Sequence, residues 1–308
     1  MPSHWSRVRR AVPQIAAAVL VLAALGQPAW AQAPARPGPA ADCGNDGGGF
    51  DAWLGRFRSY AAQQGISQPV IQAGLAGLSY DPTVIRLDRG QKSFKLTFEE
   101  FYRRRVGESL LNRGRRLMAQ HAALLQRIEK QYGVPGAVLV SIWGLETNYG
   151  GDSGGKLSIP RSLATLAYDC RRSDFFRNEL LATLKIIQRG DMTTQQMIGG
   201  WAGEIGQVQF LPSSYFKYAV DYDGDGRRDL VRSVPDMLAS TANFLKEHGW
   251  KAGEGWQEGT HNYGVIALWN KASVYQKTIA VMSDKLAATR DQAPPPGPRP
   301  KPQSTRVQ

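Results

Sequence analysis

One segment constrains this chain more than any other: Pro135-Gly-Ala-Val-Leu-Val-Ser-Ile-Trp-Gly-Leu-Glu-Thr147. Gly133-Val134-Pro135 stops one helix and starts the next, because proline is pre-set for a first helical position. Within the new helix Val138, Leu139, Val140, Ile142, Trp143 and Leu145 cover almost the whole circumference. A helix with no polar face has no stable place on a surface, so it must run through the centre of the molecule. The remaining chain has to enclose it. With 308 residues, 42% of them hydrophobic, there is enough to build that shell without help from cross-links.

The shell reads as helical too. Phe50, Trp53, Leu54 and Phe57 repeat at helical spacing, and Gly65 ends that run. Asp81-Pro82 offers an N-cap followed by proline. Thr97 and Glu100 form a capping box ahead of an expected long helix carrying Arg103, Arg104 and Arg105. Phe175–Ile187, Val234–His248 and Ser273–Ala287 are amphipathic. Continuous strand-patterned runs are scarce, so the fold class is mainly α with a small sheet.

The ends differ from the body. Arg7, Arg9 and Arg10 precede a short apolar run from Ala11 to Gly26, and Ala29-Trp30-Ala31 supplies a small-x-small cut site before Gln32. That is the pattern of a cleaved signal peptide over 1–31. The run is shorter than the ~20 residues a membrane-spanning helix needs. Cys43 lies too far from the cut for lipid attachment, so a soluble exported protein is expected. Residues 32–48 read as a flexible leader and 291–308 as a disordered proline-rich tail.

Removing the three leader arginines leaves 35 basic against 26 acidic residues, a net +9. Such a balance suits a polyanion, either cell-wall polymer or anionic lipid, and export argues against nucleic acid. An oxidising compartment favours a Cys43–Cys170 disulfide, with two buried thiols as the alternative.

Glu146 closes the buried helix, within Trp143-Gly-Leu-Glu-Thr-Asn-Tyr-Gly-Gly151. Apolar surroundings and the negative end of the helix both favour its protonated form. A carboxyl that keeps its proton near neutrality can protonate a glycosidic oxygen. Gly150 and Gly151 let the chain turn away and leave room for a sugar. The helix alone leaves a second reading open, a buried glutamate that caps a neighbouring loop.

Glu-Thr-Asn-Tyr-Gly at 146–150 resembles the catalytic motif of the lytic murein transglycosylases of the B type. The likeness continues through Thr165-Leu-Ala-Tyr-Asp-Cys-Arg-Arg172, Phe175-Phe176, Trp201-Ala-Gly-Glu-Ile-Gly-Gln-Val-Gln-Phe-Leu-Pro-Ser-Ser-Tyr215, Trp269-Asn270 and Tyr275. It implies a lysozyme-like α+β core with an added N-terminal helical lobe, together spanning 49–290. It also implies one glutamate, Glu146, that protonates the MurNAc–GlcNAc bond and then takes the C6 hydroxyl proton to close a 1,6-anhydro ring. The family pattern assigns Gln209, Phe210, Arg171, Arg172, Phe175, Phe244, Asn270, Tyr275 and Tyr102 to the substrate groove. Aromatic faces suit sugar rings, and arginine suits the carboxylates of peptidoglycan; for Phe175 and Phe244 a core position is the alternative. Gly200 departs from the pattern, since some members carry there a serine that contacts the glutamate. The likeness further implies periplasmic action on peptidoglycan, as a monomer, with no cofactor required for catalysis.

Asp221, Asp223, Asp225 and Asp229, with the Arg227 carbonyl and Gly226, match the first nine positions of an EF-hand loop. Arg232 stands where the closing glutamate belongs, and Asp236 is the expected substitute, as in the family's own unusual loop. A structural Ca2+ or a plain Asp/Gly turn accounts for this segment; a calcium-controlled adhesion module is a weaker third reading of the chain. Hydrolysis normally needs two carboxylates. Asp152 and Glu204 are the nearest to Glu146 in sequence, and both read as loop residues. A muramidase hydrolase and an inactive peptidoglycan-binding protein remain the competing functions.

Overall fold

The computed structural model describes residues 43–90, 96–152 and 155–288. The expected signal peptide, residues 32–42 of the leader and the tail lie outside the described residues. The elements run α1 (Phe50–Gln63), α2 (Gln68–Leu75), α3 (Pro82–Arg89), α4 (Phe98–Arg105), α5 (Glu108–Gln120), α6 (Ala122–Tyr132) and α7 (Gly136–Thr147). They continue with β1 (Leu157–Ser158), α8 (Ile159–Tyr168), α9 (Ser173–Arg189), β2 (Ile198–Gly199), α10 (Pro212–Tyr218), α11 (Val234–Glu247), α12 (His261–Trp269) and α13 (Ser273–Ala287). The two strands pair antiparallel, Leu157 opposite Gly199 and Ser158 opposite Ile198.

Helix α7 is the buried rod its sequence demands, with Glu146 its one residue that is not buried. Helices α5, α6, α11 and α13 pack around it. A second buried helix, α8, plays the same part for α1, α2, α3 and α9, and α10 bridges from α9 to α11. The N-terminal lobe of α1–α3 is thus anchored on α8 and α9. Ser158 caps α8 by accepting the Arg161 N–H at 3.4 Å, with Pro160 in the first turn. Only ten residues long, α8 gives too short an apolar run to distinguish a buried helix from a strand by period.

Several caps form as the sequence indicates. Asp81 accepts from Thr83 N–H at 2.9 Å, and Thr97 with Glu100 makes a reciprocal capping box. The helix that follows Thr97 is short, however. It breaks at Val106-Gly107, where Val106 drops into the core and Gly107, in extended geometry, becomes the N-cap of α5.

The end of the leader is tied down. Cys43 and Cys170 form a disulfide across 127 residues of sequence, and Gly44 N–H donates to the Tyr168 carbonyl at 3.0 Å. Gly44 and Gly49 have no room for a side chain, because the Tyr168 hydroxyl fills that space. Tyr168 joins Phe50, Trp53 and Tyr80 in one aromatic cluster, with ring centroids about 6 Å apart. Replacing both cysteines by serine should cost about 2–5 kcal/mol, given the length of the loop they close. Urea unfolding of the oxidised protein beside the double variant tests this; coincident midpoints would show that the tie contributes nothing.

Candidate active site

A groove of about 500 Å3 opens beside the C-terminal end of α7, with Glu146 in its wall. Its position follows from how α7 stops. Asn148 and Tyr149 both take left-handed backbone angles (φ 50° and 56°), so the chain reverses directly after Thr147. Two consecutive non-glycine residues in that region are costly and persist only where packing enforces them. Here the Tyr149 ring lies across Gly144 and Gly114, where any side chain would overlap it. Its hydroxyl donates to the Leu110 carbonyl at 3.1 Å, and the ring meets Trp143 edge-on. Gly144, unfavourable inside a helix, is therefore there for this ring.

The other wall is locked to the same turn. Thr147 Oγ1 donates to the Gln207 carbonyl at 2.6 Å, and Trp143 Nε1 donates to Gln207 Oε1 at 2.9 Å. Gln207 Nε2 reaches on to the Val231 carbonyl at 2.9 Å. Gln209, at φ 54°, turns its amide back to the Gly206 carbonyl at 2.7 Å and faces the groove.

Glu146 keeps some surface on the groove, yet the protein packed around its carboxyl is as dense as the core. Trp269 Nε1 donates to Glu146 Oε1 at 2.9 Å. The buried Tyr275 hydroxyl faces the carboxyl closely enough to act on its ionisation, although it makes no aligned hydrogen bond. Arg105 Nη2 donates to the Leu145 carbonyl at 2.5 Å and brings a positive charge nearby. Burial dominates and raises the Glu146 pKa; Trp269, Tyr275 and Arg105 work against it, and the Glu204 charge adds to it.

The groove collects Arg172, Phe175, Gln209, Phe210, Phe244 and Asn270 with Glu146. Phe175 is 43% exposed, so it belongs to the wall. Phe244 fills both roles, lining the groove while its ring stacks on His248 at 4.0 Å between centroids. Tyr275 stands behind Glu146. Three assignments differ, Tyr275 among them, since it is buried and does not line the groove. Tyr102 does not line the groove; it packs on Phe98 and lies under Lys285. Arg171 turns away to Asp88, donating to its carbonyl at 2.9 Å and its carboxylate at 2.7 Å. Arg89 and Arg172 hold the same carboxylate. Burial would raise Asp88, but hydrogen bonds from Arg172 and Arg171 outweigh it and keep this acid below its ordinary value. A buried carboxylate is a stronger partner for arginine than open solvent, which is why Arg171 leaves the wall.

Sequence reasoning passed over Trp269, Trp201 and Gln207, although all three fall inside the motifs, and it set Glu204 aside as a loop residue. Glu204 lines the groove, and burial raises its pKa. Asp152 is exposed and outside the groove.

In the acidic loop Asp221, Asp223 and Asp236 bring ligand atoms within 4.8 Å of one another. Asp225 and Asp229 do not join them. Asp225 accepts the Arg227 N–H, and Asp229 is paired with Arg232 at 2.9 Å. Buried Asp236 accepts the N–H groups of Tyr222, Asp223 and Asp229, so it shapes the loop from inside.

Comparison with known proteins agrees with this geometry. Residues 49–260 match the transglycosylase SLT domain. The chain belongs to that family. Over 136 residues, 44% of this chain, it is 40% identical to the membrane-bound lytic murein transglycosylase B of Escherichia coli. The match spans only 37% of that relative's length. SltB3 of Pseudomonas aeruginosa, crystallised with NAG-anhNAM-pentapeptide, is 33% identical, with 77% of this chain and 79% of that one superposed at a TM-score of 0.72. The E. coli lytic transglycosylase Slt35, solved with calcium, shares the fold at 24% identity (78% and 94% of the two chains, TM-score 0.68). Among the described residues of this SLT-domain chain, no helix is long and apolar enough to cross a membrane.

A glutamate kept in a desolvating site should cost stability. The raised folded-state pKa of Glu146 gives stability that is complete at acid pH and is lost as pH rises through that value. Glu146→Gln should therefore melt a few degrees above wild type at neutral pH and level with it below the carboxylate range. Melting curves at the two pH values decide; equal melting at neutral pH would mean the carboxyl is not under strain.

Proposed function

We propose that this chain is a peptidoglycan lytic transglycosylase that cleaves the MurNAc–GlcNAc β-1,4 bond and leaves a 1,6-anhydro end. The observation that carries the reading is Glu146: one carboxyl whose pKa burial raises, open to a groove, with Trp269 and Tyr275 at its oxygens. In the first step its O–H protonates the glycosidic oxygen, the C1–O bond breaks, and the GlcNAc hydroxyl departs. In the second the muramoyl C6 hydroxyl closes on C1 and returns its proton to the Glu146 carboxylate. No water is consumed, and the residue ends as it began. Between steps Trp269, Tyr275 and Arg105 stabilise the carboxylate. SltB3, bound to an anhydro-muramoyl fragment, supports the same product here.

Gln209, Phe210, Phe244 and Asn270 hold the sugar, with Phe175 and Arg172 along the wall. Arg171 braces that wall through Asp88, and Tyr102, packed on Phe98, takes no part in the contact. The enzyme acts in the periplasm as a monomer on glycan strands, whose negative charge suits the basic surface, and catalysis needs no cofactor. A hydrolase is the second reading, and one observation favours it: Glu204 gives the groove a second carboxylate.

The products separate the two. Digestion of purified peptidoglycan should release muropeptides ending in 1,6-anhydromuramic acid, with at least ~100-fold less from Glu146→Gln. Reducing ends in their place would establish hydrolysis.

The trio Asp221, Asp223 and Asp236 suits a hard cation with oxygen ligands, and we assign it a structural Ca2+ of modest affinity that takes no part in bond cleavage. Calcium at a hundredfold excess over its dissociation constant should stabilise the protein by about 2.7 kcal/mol. Asp221→Asn should abolish that gain and leave the product unchanged. A melting temperature indifferent to calcium would reduce the loop to an Asp/Gly turn.

A further inference from the structure

Gly200 and Glu204 make one feature between them. The turn they bound is held by Gly200 N–H on the Glu204 carbonyl at 3.0 Å and Gly203 N–H on the Gly200 carbonyl at 3.1 Å. Gly203, at φ 91°, lies against Leu163 with no space for a side chain. The Ala202 N–H donates to Glu204 Oε2 at 2.9 Å, which folds the carboxylate back over the turn. A Cβ at position 200 would overlap that oxygen and crowd Glu204 Cδ (2.9 Å) and Cβ (3.1 Å). The carboxylate of residue 204 thus occupies the space that a side chain at 200 would otherwise fill, and it faces the groove that holds Glu146.

Given the acid–base role proposed for Glu146, on which the inference rests, we propose that Glu204 is a positioning residue for the cleavage step. Its carboxylate acts across the groove to hold the proton on Glu146 until the glycosidic oxygen takes it. The groups facing Glu146 are Trp269 at the end of α12, Tyr275 on α13, Arg105 on α4 and Glu204 on the turn. The first three favour the carboxylate. Among these four, Glu204 alone favours the acid.

The two carboxyls line one groove, so each acts on the other. Burial works against the Glu204 charge, but the backbone N–H groups of its turn and the Arg172 guanidinium support it. With that support the Glu204 carboxylate sets a negative charge across the groove from Glu146. A raised Glu146 arrives protonated more often at neutral pH, and as a carboxylate it takes the C6 hydroxyl proton more readily. Glu204 itself gives and takes no proton, so the product keeps its anhydro end.

The test is the pH profile of muropeptide release by Glu204→Gln beside wild type and Glu146→Gln. Glutamine keeps an acceptor for the Ala202 N–H and removes the charge. Its alkaline limb should move to lower pH, with kcat at neutrality falling roughly three- to tenfold and the acid plateau changing less than about twofold. KM should hold and the ends remain anhydro. If Glu204→Gln does not fold, Gly200→Ala/Glu204→Ala removes the charge while filling the space, and the same shift is expected. A uniform loss at every pH would make Glu204 merely structural and overturn the proposal. Reducing ends in wild type that vanish in Glu204→Gln would overturn it as well, by making Glu204 a base for water. An inactive Glu146→Gln with an unmoved limb in Glu204→Gln sinks this proposal alone, whereas an active Glu146→Gln removes its premise too.

Discussion

The two hydrogen bonds that close on Gln207, from the Thr147 hydroxyl and the Trp143 indole, are what the rest of the groove depends on. Each lies in a buried setting where the alternative is an unsatisfied polar group, so neither can be given up cheaply. Together they fix the end of α7 against the 205–210 turn and bring the acid, on a helix, opposite Gln209 and Phe210, on a loop. The left-handed pair Asn148-Tyr149 is held from the same place: Gly150 N–H donates to Thr147 Oγ1 at 3.0 Å. Rigid backbone on both sides is what the two proton transfers proposed for Glu146 require, since the carboxyl is not re-aimed between them.

The distribution of positive charge needs the same kind of reading. A basic chain suggests a basic groove, but several arginines beside the groove answer to acids of the protein itself. Arg89, Arg171 and Arg172 converge on Asp88, and Arg89 also holds Asp169 at 2.9 Å. Arg172 alone of the three also faces the groove. That network lies next to the disulfide at Cys170, so it fastens the wall to the lobe of α1–α3. Any part this network takes in the proposed substrate binding passes through the Arg172 guanidinium.

Most of the fold was legible because its signals are local. The all-apolar face of α7, the Thr97–Glu100 box and the Asp81-Pro82 start each depend on residues within one or two turns. Glu146 was legible for a related reason: a lone carboxyl at the end of an apolar helix is a chemical contrast visible in the sequence itself. What was missed depends on distant partners. Trp269 matters because it meets Glu146 from 123 residues away, and Arg171 turns inward because of Asp88, 83 residues before it. Glu204 looked like a loop acid because nothing local shows that Gly200 leaves a space for its carboxylate. The break after α4 was hidden because Val106 and Gly107 disturb the helical period only slightly, while burial of Val106 decides the turn.

The residues that act on Glu146 come from α4, from the 200–204 turn, from the end of α12 and from α13. The acid itself sits near the middle of the chain, on the helix that every neighbour must enclose. No continuous stretch of sequence therefore contains a working site. A chain that lacks α13, or has yet to place α4, still carries the acid but not the surroundings that let it release a proton and take one back. The bond cleavage proposed for this protein is thus a property of the finished fold, gained only once α4 and α13 have both closed on the end of α7.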